Sequence, residues 1–333
     1  MQSSGNHPVA EIYRAVQNDT PLTSQRLVDG SLELKMLHER LPHLYIDDDG
    51  LLKLRVVHNN SARLCVVCPP SYRQDTVWKT HTLAHYGIRK TLDRIRLNWY
   101  WPGMTAEIRR QVLSCEKCQL GKGGNQTQTR GRRRLFSGRP WETVAVDLLG
   151  PLPQTEQGNQ WVLVLTDHFT RWQDAIALTD STTATVAKIL EERVFCYLGI
   201  PEKLHSDQGP QFESKLLEEL CQLWGIEKIR TTPYHPQANG MVERNNRVLG
   251  DALRSLLINR PEEDWDILLP HVMRALRATP HSFTKETPNF MMMGREVRLP
   301  DQLTHPSACK SKTSIEYSTH LQEVMENTHG IIR

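Results

Sequence analysis

Long apolar runs are missing from this 333-residue chain: none approaches the roughly 20 residues that a membrane-spanning helix requires, so no membrane partner is expected. The start, Met1-Gln2-Ser3-Ser4-Gly5-Asn6, lacks the charged and apolar segments of a secretory leader, so the chain is read as intracellular and not secreted. Cysteine is sparse and odd in number, seven in all, which argues against a disulfide framework and for a reducing compartment with a metal site. A surplus of either charge is also lacking: the net charge is +3, so bulk charge marks no polyanion partner and local basicity is the better guide. What remains is a globular composition, 38% hydrophobic and 24% charged, in a chain long enough for two or three domains.

Patterning divides the chain unevenly. Residues 1–73 read as an N-terminal extension, with an amphipathic helical segment to about residue 45, the turn Asp47-Asp48-Asp49-Gly50, and short strands through Leu52, Leu54 and Val56. Residues 74–120 read as short helices carrying His and Cys, and 121–139 as a basic linker in which Arg130, Arg132, Arg133 and Arg134 crowd into five positions. From 140 to 280 strands alternate with helices, the pattern of an α/β layer. Strands are expected at 144–148, 161–166, 172–178 and 203–205, and helices at 182–197, 212–224, 237–257 and 264–278. Residues 281–333 are polar and interrupted by Pro288, Pro300 and Pro306.

Two constellations carry chemistry. His81-Thr82-Leu83-Ala84-His85 sets two imidazoles four positions apart, on one face if the segment is helical, and Cys115-Glu116-Lys117-Cys118 sets two thiolates across a tight turn. Two nitrogens and two sulfurs form a closed tetrahedral set, which makes any zinc structural because no position is left for water. A rival set replaces the histidines with Cys65 and Cys68, but that pair reads as part of a strand ending at Pro69-Pro70.

The second constellation is acidic: Asp147 after Val144-Ala145-Val146, Asp207 in His205-Ser206-Asp207-Gln208-Gly209, and Glu243 on the helix that follows Pro236-Gln237-Ala238-Asn239-Gly240. Thirty-five residues separate Asp207 from Glu243. Spacing alone is weak among 38 acidic residues, yet two strand-edge aspartates and a helix-borne glutamate can meet at one end of a sheet. Such carboxylates hold paired divalent ions for phosphoryl transfer. Asp167 competes with Asp147 because it also closes an apolar run, whereas Asp174 and Asp180 read as turn or surface residues.

Together these motifs resemble the integrases of retroviruses and LTR retrotransposons, most closely the gypsy type. The resemblance rests on His81-x3-His85-x29-Cys115-x2-Cys118, Tyr100-Trp101-Pro102-Gly103-Met104, Ser206-Asp207-Gln208-Gly209-Pro210-Gln211-Phe212, Tyr234-His235-Pro236-Gln237-Ala238-Asn239-Gly240 and Glu243-Arg244, over roughly residues 45–305. It implies an RNase H-like α/β core preceded by a small helical zinc domain with His81, His85, Cys115 and Cys118 as ligands. It further implies magnesium or manganese held by Asp147, Asp207 and Glu243, acting in 3′-end processing and strand transfer of retrotransposon DNA. Double-stranded DNA and further copies of the chain are the implied partners, and the nucleus, with the cytoplasm, the implied location. Arg130, Arg132, Arg133, Arg134, Gln237, Arg244 and Arg247 are candidate DNA contacts, with helix capping the expected role of Asn239. Gypsy-type relatives commonly continue into a C-terminal β-barrel, which residues 281–333 are too short to complete, so the chain is expected to be a polyprotein fragment, a truncated copy or a host-derived gene. The alternative function is a catalytically unused, host-derived DNA-binding or interaction protein.

Overall fold

The computed structural model describes residues 7–20, 22–58, 61–121, 137–207, 209–230, 240–297, 299 and 314–330. The chain forms two compact units, Met1–Gln119 and Leu120–Arg333.

The first unit opens with α1 (Pro8–Gln17), α2 (Ser24–Asp29) and α3 (Leu32–His38). Each starts on a side-chain cap: His7 accepts from the Ala10 amide, Thr23 from Arg26 and Ser31 from Leu34, which satisfies amides the helix itself leaves bare. Val9 and Ile12 of α1 and Leu34 and Leu37 of α3 then pack onto β1 (Leu44–Ile46), β2 (Leu52–His58) and β3 (Ser61–Val67). The strands form an antiparallel meander whose tight turn lies at Asp47–Gly50, with Asp47 Oδ1 accepting from the Leu51 amide at 2.7 Å.

After Pro69 come α4 (Pro70–Thr82), α5 (Ile88–Ile95), β4 (Trp99–Tyr100), α6 (Met104–Leu113) and α7 (Glu116–Gly121). The sequence reading separates these helices from residues 1–73, but the sheet crosses that division. β4 pairs in parallel with β3, Val66 beside Trp99 and Val67 beside Tyr100. Cys68 shares a core with Val77, Ile95, Trp101 and Ile108, and Arg73 of α4 pairs with Glu33 of α3. A two-residue strand flanked by helices carries no periodic signal, so its pairing was not legible beforehand.

The second unit is a five-stranded sheet of order β7-β6-β5-β8-β9, from β5 (Thr143–Leu149), β6 (Trp161–Asp167), β7 (Gln173–Leu178), β8 (Lys203–Ser206) and β9 (Glu227–Arg230). β5, β6 and β7 pair antiparallel, whereas β8 and β9 join in parallel beyond β5 through helical crossovers. One face, through Val144, Val146, Leu163, Leu165 and Leu204, packs on α8 (Thr183–Ile189), its π-helical continuation Leu190–Phe195 and α9 (Cys196–Leu198), and on α10 (Lys215–Leu223). On the other side α12 (Trp265–Arg277) lies against β7, and α11 (Gly240–Leu257) against α12 and β5. This is the RNase H-like α/β core expected from the sequence. The expected helix 182–197 is broken in type at Leu190, though one apolar stripe, Val186, Leu190 and Val194, runs through the change.

Three elements of this unit were not anticipated. β9 is short and polar, and it exists because β8 offers it a parallel edge. In the tail, α13 (Pro288–Met293) ends at Gly294 and is met by α14 (Ser314–Gly330).

Candidate metal centre and active site

The first site is built at the end of α4. His81 lies in its last turn, fully buried, while His85 stands beyond the helix in a left-handed conformation, φ 45°. The expected single helical face is thus replaced by a reversal: the chain leaves α4 at Thr82 and turns so that the Tyr86 amide donates to His81 O at 3.0 Å. Cys115 precedes α7 and Cys118 sits within it. Ligand-type atoms of all four residues lie within 4.8 Å of one another.

The hydrogen bonding fixes which nitrogens face the sulfurs. His81 Nδ1 is 2.8 Å from Tyr86 O, so it donates there and leaves Nε2 as a lone pair 3.4 Å from Cys118 Sγ. His85 turns Nδ1 inward, 3.5 Å from both Cys115 Sγ and Cys118 Sγ. Zinc bonds of about 2.3 Å to sulfur and about 2.0–2.1 Å to nitrogen put the nitrogen–sulfur edges of a tetrahedron at about 3.5 Å, so this donor set fits zinc without rearrangement. Cys65 and Cys68 take no part: Cys65 Sγ donates to Arg96 O at 3.4 Å, and burial pushes the Cys68 thiol up to about 12.

The second site lies on the sheet face covered by α11. β5 and β8 pair as Thr143 with Lys203, Val144 with Leu204 and Ala145 with His205; the chain leaves β8 after Ser206 and carries Asp207 near enough for its charge to act on Asp147. Side chains alternate with period two along a strand, so Asp147 shares its face of β5 with Ala145, opposite which His205 of β8 is paired. Asp147 lies within β5 rather than at its end, opposite Val164. Its Oδ2 accepts a 2.6 Å bond from Asn246 Nδ2, and its Oδ1 accepts from the Leu148 amide at 2.9 Å. Asn246 is one turn after Glu243 on α11, so the same bond draws the Glu243 stripe toward Asp147. Asp207 Oδ1 accepts from the Gly209 amide at 3.0 Å. Burial, and then the charges of Asp207 and Glu243, push the Asp147 carboxyl above the usual range, against the pull of its two hydrogen bonds.

The competing aspartates have other work. Asp167 is fully buried and accepts from Thr170 Oγ1 at 2.6 Å, the Thr170 amide at 2.8 Å and the Trp141 amide at 3.2 Å, which knots the β6–β7 corner. Asp174 pairs with Arg277 at 3.1 Å, and half-buried Asp180 caps the turn into α8 through Thr182. Arg244 and Arg247 are solvent-exposed on α11. Arg130, Arg132, Arg133, Arg134, Gln237 and Asn239 lie outside the described residues.

Three residues given no role from sequence also border this face. Asn246 was discoverable as the amide three positions after Glu243. His205 and His168 stack edge-on with ring centroids 5.5 Å apart, both buried. Burial lowers both imidazoles; for His168 the neighbouring His205 and Arg171 add to it, taking it down to about 3.

Residues 68–123 match the integrase zinc binding domain family and residues 138–236 the integrase core domain family. Gypsy retrotransposon integrase-like protein 1 of Bos taurus is 30% identical over 221 residues, covering 66% of this chain and 43% of that protein. The retrovirus-related Pol polyprotein from transposon 412 of Drosophila melanogaster is 31% identical over 217 residues, 65% of this chain and 18% of that one. A solved simian T-cell lymphotropic virus intasome in complex with PP2A regulatory subunit B56 gamma aligns at 19% identity and TM-score 0.48, over 72% of this chain and 78% of its own. The chain spans less than half the length of these two curated relatives. The two families matched in this order give the chain an integrase zinc binding domain followed by an integrase core domain, similar to those of gypsy-type retrotransposon and retroviral proteins.

Proposed function

We propose that the chain performs metal-dependent 3′-end processing and strand transfer on double-stranded DNA, working as a homo-oligomer in the nucleus. The observation that carries this reading is the convergence of Asp147 on β5 with Asp207, just past the neighbouring parallel strand β8, and with Glu243 on α11, both of whose charges act on the Asp147 carboxyl. Mutually repelling carboxylates on a half-buried face are a poor arrangement for stability and a good one for cations. Asn246 and the Leu148 amide hold Asp147 at a fixed angle, the Gly209 amide does the same for Asp207, and exposed Glu243 faces solvent where a strand can approach.

In the first step a water oxygen bonds to phosphorus near the 3′ end and the bond from that phosphorus to the 3′-oxygen breaks. In the second, the freed 3′-hydroxyl oxygen bonds to a target phosphorus and displaces the target strand's own 3′-oxygen. One phosphodiester replaces another, so no nucleotide cofactor is consumed. Magnesium or manganese, when held by Asp147, Asp207 and Glu243, supplies an activated nucleophile and a neutralised leaving oxygen. Zinc at the first site is structural.

Strand-transfer assays on oligonucleotides with magnesium or manganese test the reading. Activity in the unaltered chain with loss to background in Asp207→Asn and Glu243→Gln supports it; equal activity in all three overturns it. An unaltered chain that binds DNA but leaves it uncut replaces it with a catalytically unused DNA-binding protein. Binding should weaken steeply with salt, as expected of phosphate contacts such as those offered by Arg244 and Arg247.

A further inference from the structure

Arg171 closes the β6–β7 corner in a conformation that an arginine rarely takes. Its φ is +66°, in the left-handed region that glycine enters freely and side chains enter at a cost. The corner is otherwise well tied, since the Arg171 amide donates to Asp167 O at 3.1 Å and Asp167 gathers Thr170 and Trp141. A glycine would therefore complete the turn with less strain, and the arginine must be accounted for by where its side chain goes.

That side chain reaches the first turn of α11. Arg171 Nη1 donates to Met241 Sδ, two residues before Glu243, and the guanidinium carbon stands 4.9 Å from the centre of the Phe283 ring, a cation–π distance. Phe283 follows α12, the helix against which α11 packs. The guanidinium is thus held between the start of α11 and the segment after α12. One turn further along, Asn246 ties the same helix to Asp147. Two contacts therefore bracket Glu243, one on each side.

We propose that Arg171 is a positioning residue for the metal-binding carboxylates: by bracing the first turn of α11 against Phe283, it sets Glu243 toward Asp147 and Asp207. The inference rests on the reading of those three carboxylates as the divalent-metal site. Backbone strain kept at a corner next to such a site is the expected signature of a side chain retained for its reach.

The test is Mn2+ binding to the zinc-loaded full chain, read as free Mn2+ by electron paramagnetic resonance, with thermal melting alongside. Arg171→Gly should melt at the same temperature or higher and bind Mn2+ about tenfold more weakly, the scale of losing an outer support of a metal site. Arg171→Lys, which keeps a cation of similar reach, should recover most of the affinity. Asp207→Asn separates the two ideas: if it abolishes binding while Arg171→Gly matches the unaltered chain, the positioning role is overturned and the metal-site reading stands. If Asp207→Asn binds as the unaltered chain does, the metal-site reading fails and this inference with it. Should Arg171→Gly not fold, Phe283→Leu leaves the corner intact and decides the matter: weakened Mn2+ binding supports the brace, and unchanged binding overturns it.

Discussion

At the residue scale, protonation and tautomer decide what each histidine does. His81 gives its Nδ1 proton to Tyr86 O, which commits Nε2 to the sulfurs, and His85 reaches them with Nδ1 only because of its left-handed turn. Either His85→Ala or Cys118→Ala should lower bound zinc to background by atomic absorption, since three ligands with one missing corner hold the ion poorly; unchanged zinc in both would remove the assignment. His168 behaves oppositely, being held neutral by burial down to about 3. Its folded value lies below the ordinary value of 6.5, so the unfolded chain takes up its proton first as pH falls. Stability is therefore intact above about pH 6.5 and is lost as pH falls from there toward 3, at most about 1.4 kcal/mol per pH unit. His205 adds in the same direction, while raised aspartates such as Asp147 and Asp167 oppose it, because their folded forms take up protons first. The effect of His168 is thus read as a difference: the melting temperature of His168→Gln should fall less steeply than that of the unaltered chain between pH 6.5 and 4, and parallel curves would contradict it. Ligand identities were legible from spacing, but the turn that brings His85 inward was not, since a backbone reversal leaves no periodic trace.

At the scale of elements, α11 was legible and α14 was not. The apolar stripe of α11, Val242, Leu249, Ala252 and Leu253, announces a helix whose other face holds Glu243. The segment that becomes α14 is polar and weakly patterned; among the described residues, Leu321, Met325 and His329, spaced one per turn, meet the end of α13. His329 Nε2 lies 2.9 Å from Met291 O, and its ring stands edge-on to Phe169 at 5.1 Å. The helix can approach because Gly294 ends α13 at φ +67° without a side chain; a Cβ there would run into Leu321 and stand 2.9 Å from Met325 Sδ. Gly294→Val should cost at least about 1 kcal/mol from its conformation alone, with more from the collision, and should speed amide exchange in α14. Slow exchange at the level of the unaltered chain would show that the contact does not hold the helix.

For the whole molecule, the metal centre and the hydrophobic cores share the work of folding the first unit. A separate domain of some 45 residues would depend on its zinc, but β4 and Cys68 join these helices to the core around β1–β3. Chelation is therefore expected to free the turn after α4 and all of α7, while the β1–β3 sheet keeps its protection in hydrogen exchange. Complete loss of that protection would mean the zinc carries the whole unit. The sequence by itself determined the His and Cys ligand types, the candidate carboxylates and the longer strands and helices of the core, because residue identity and periodicity are local properties that survive without knowledge of partners. Only the tertiary structure decided which carboxylates stand side by side, that Asp167 serves a corner and Asp147 a site face, and that Arg171 and Asn246 bracket Glu243. Those facts depend on strand register and helix docking, which bring together residues such as Asp147 and Asn246, 99 positions apart.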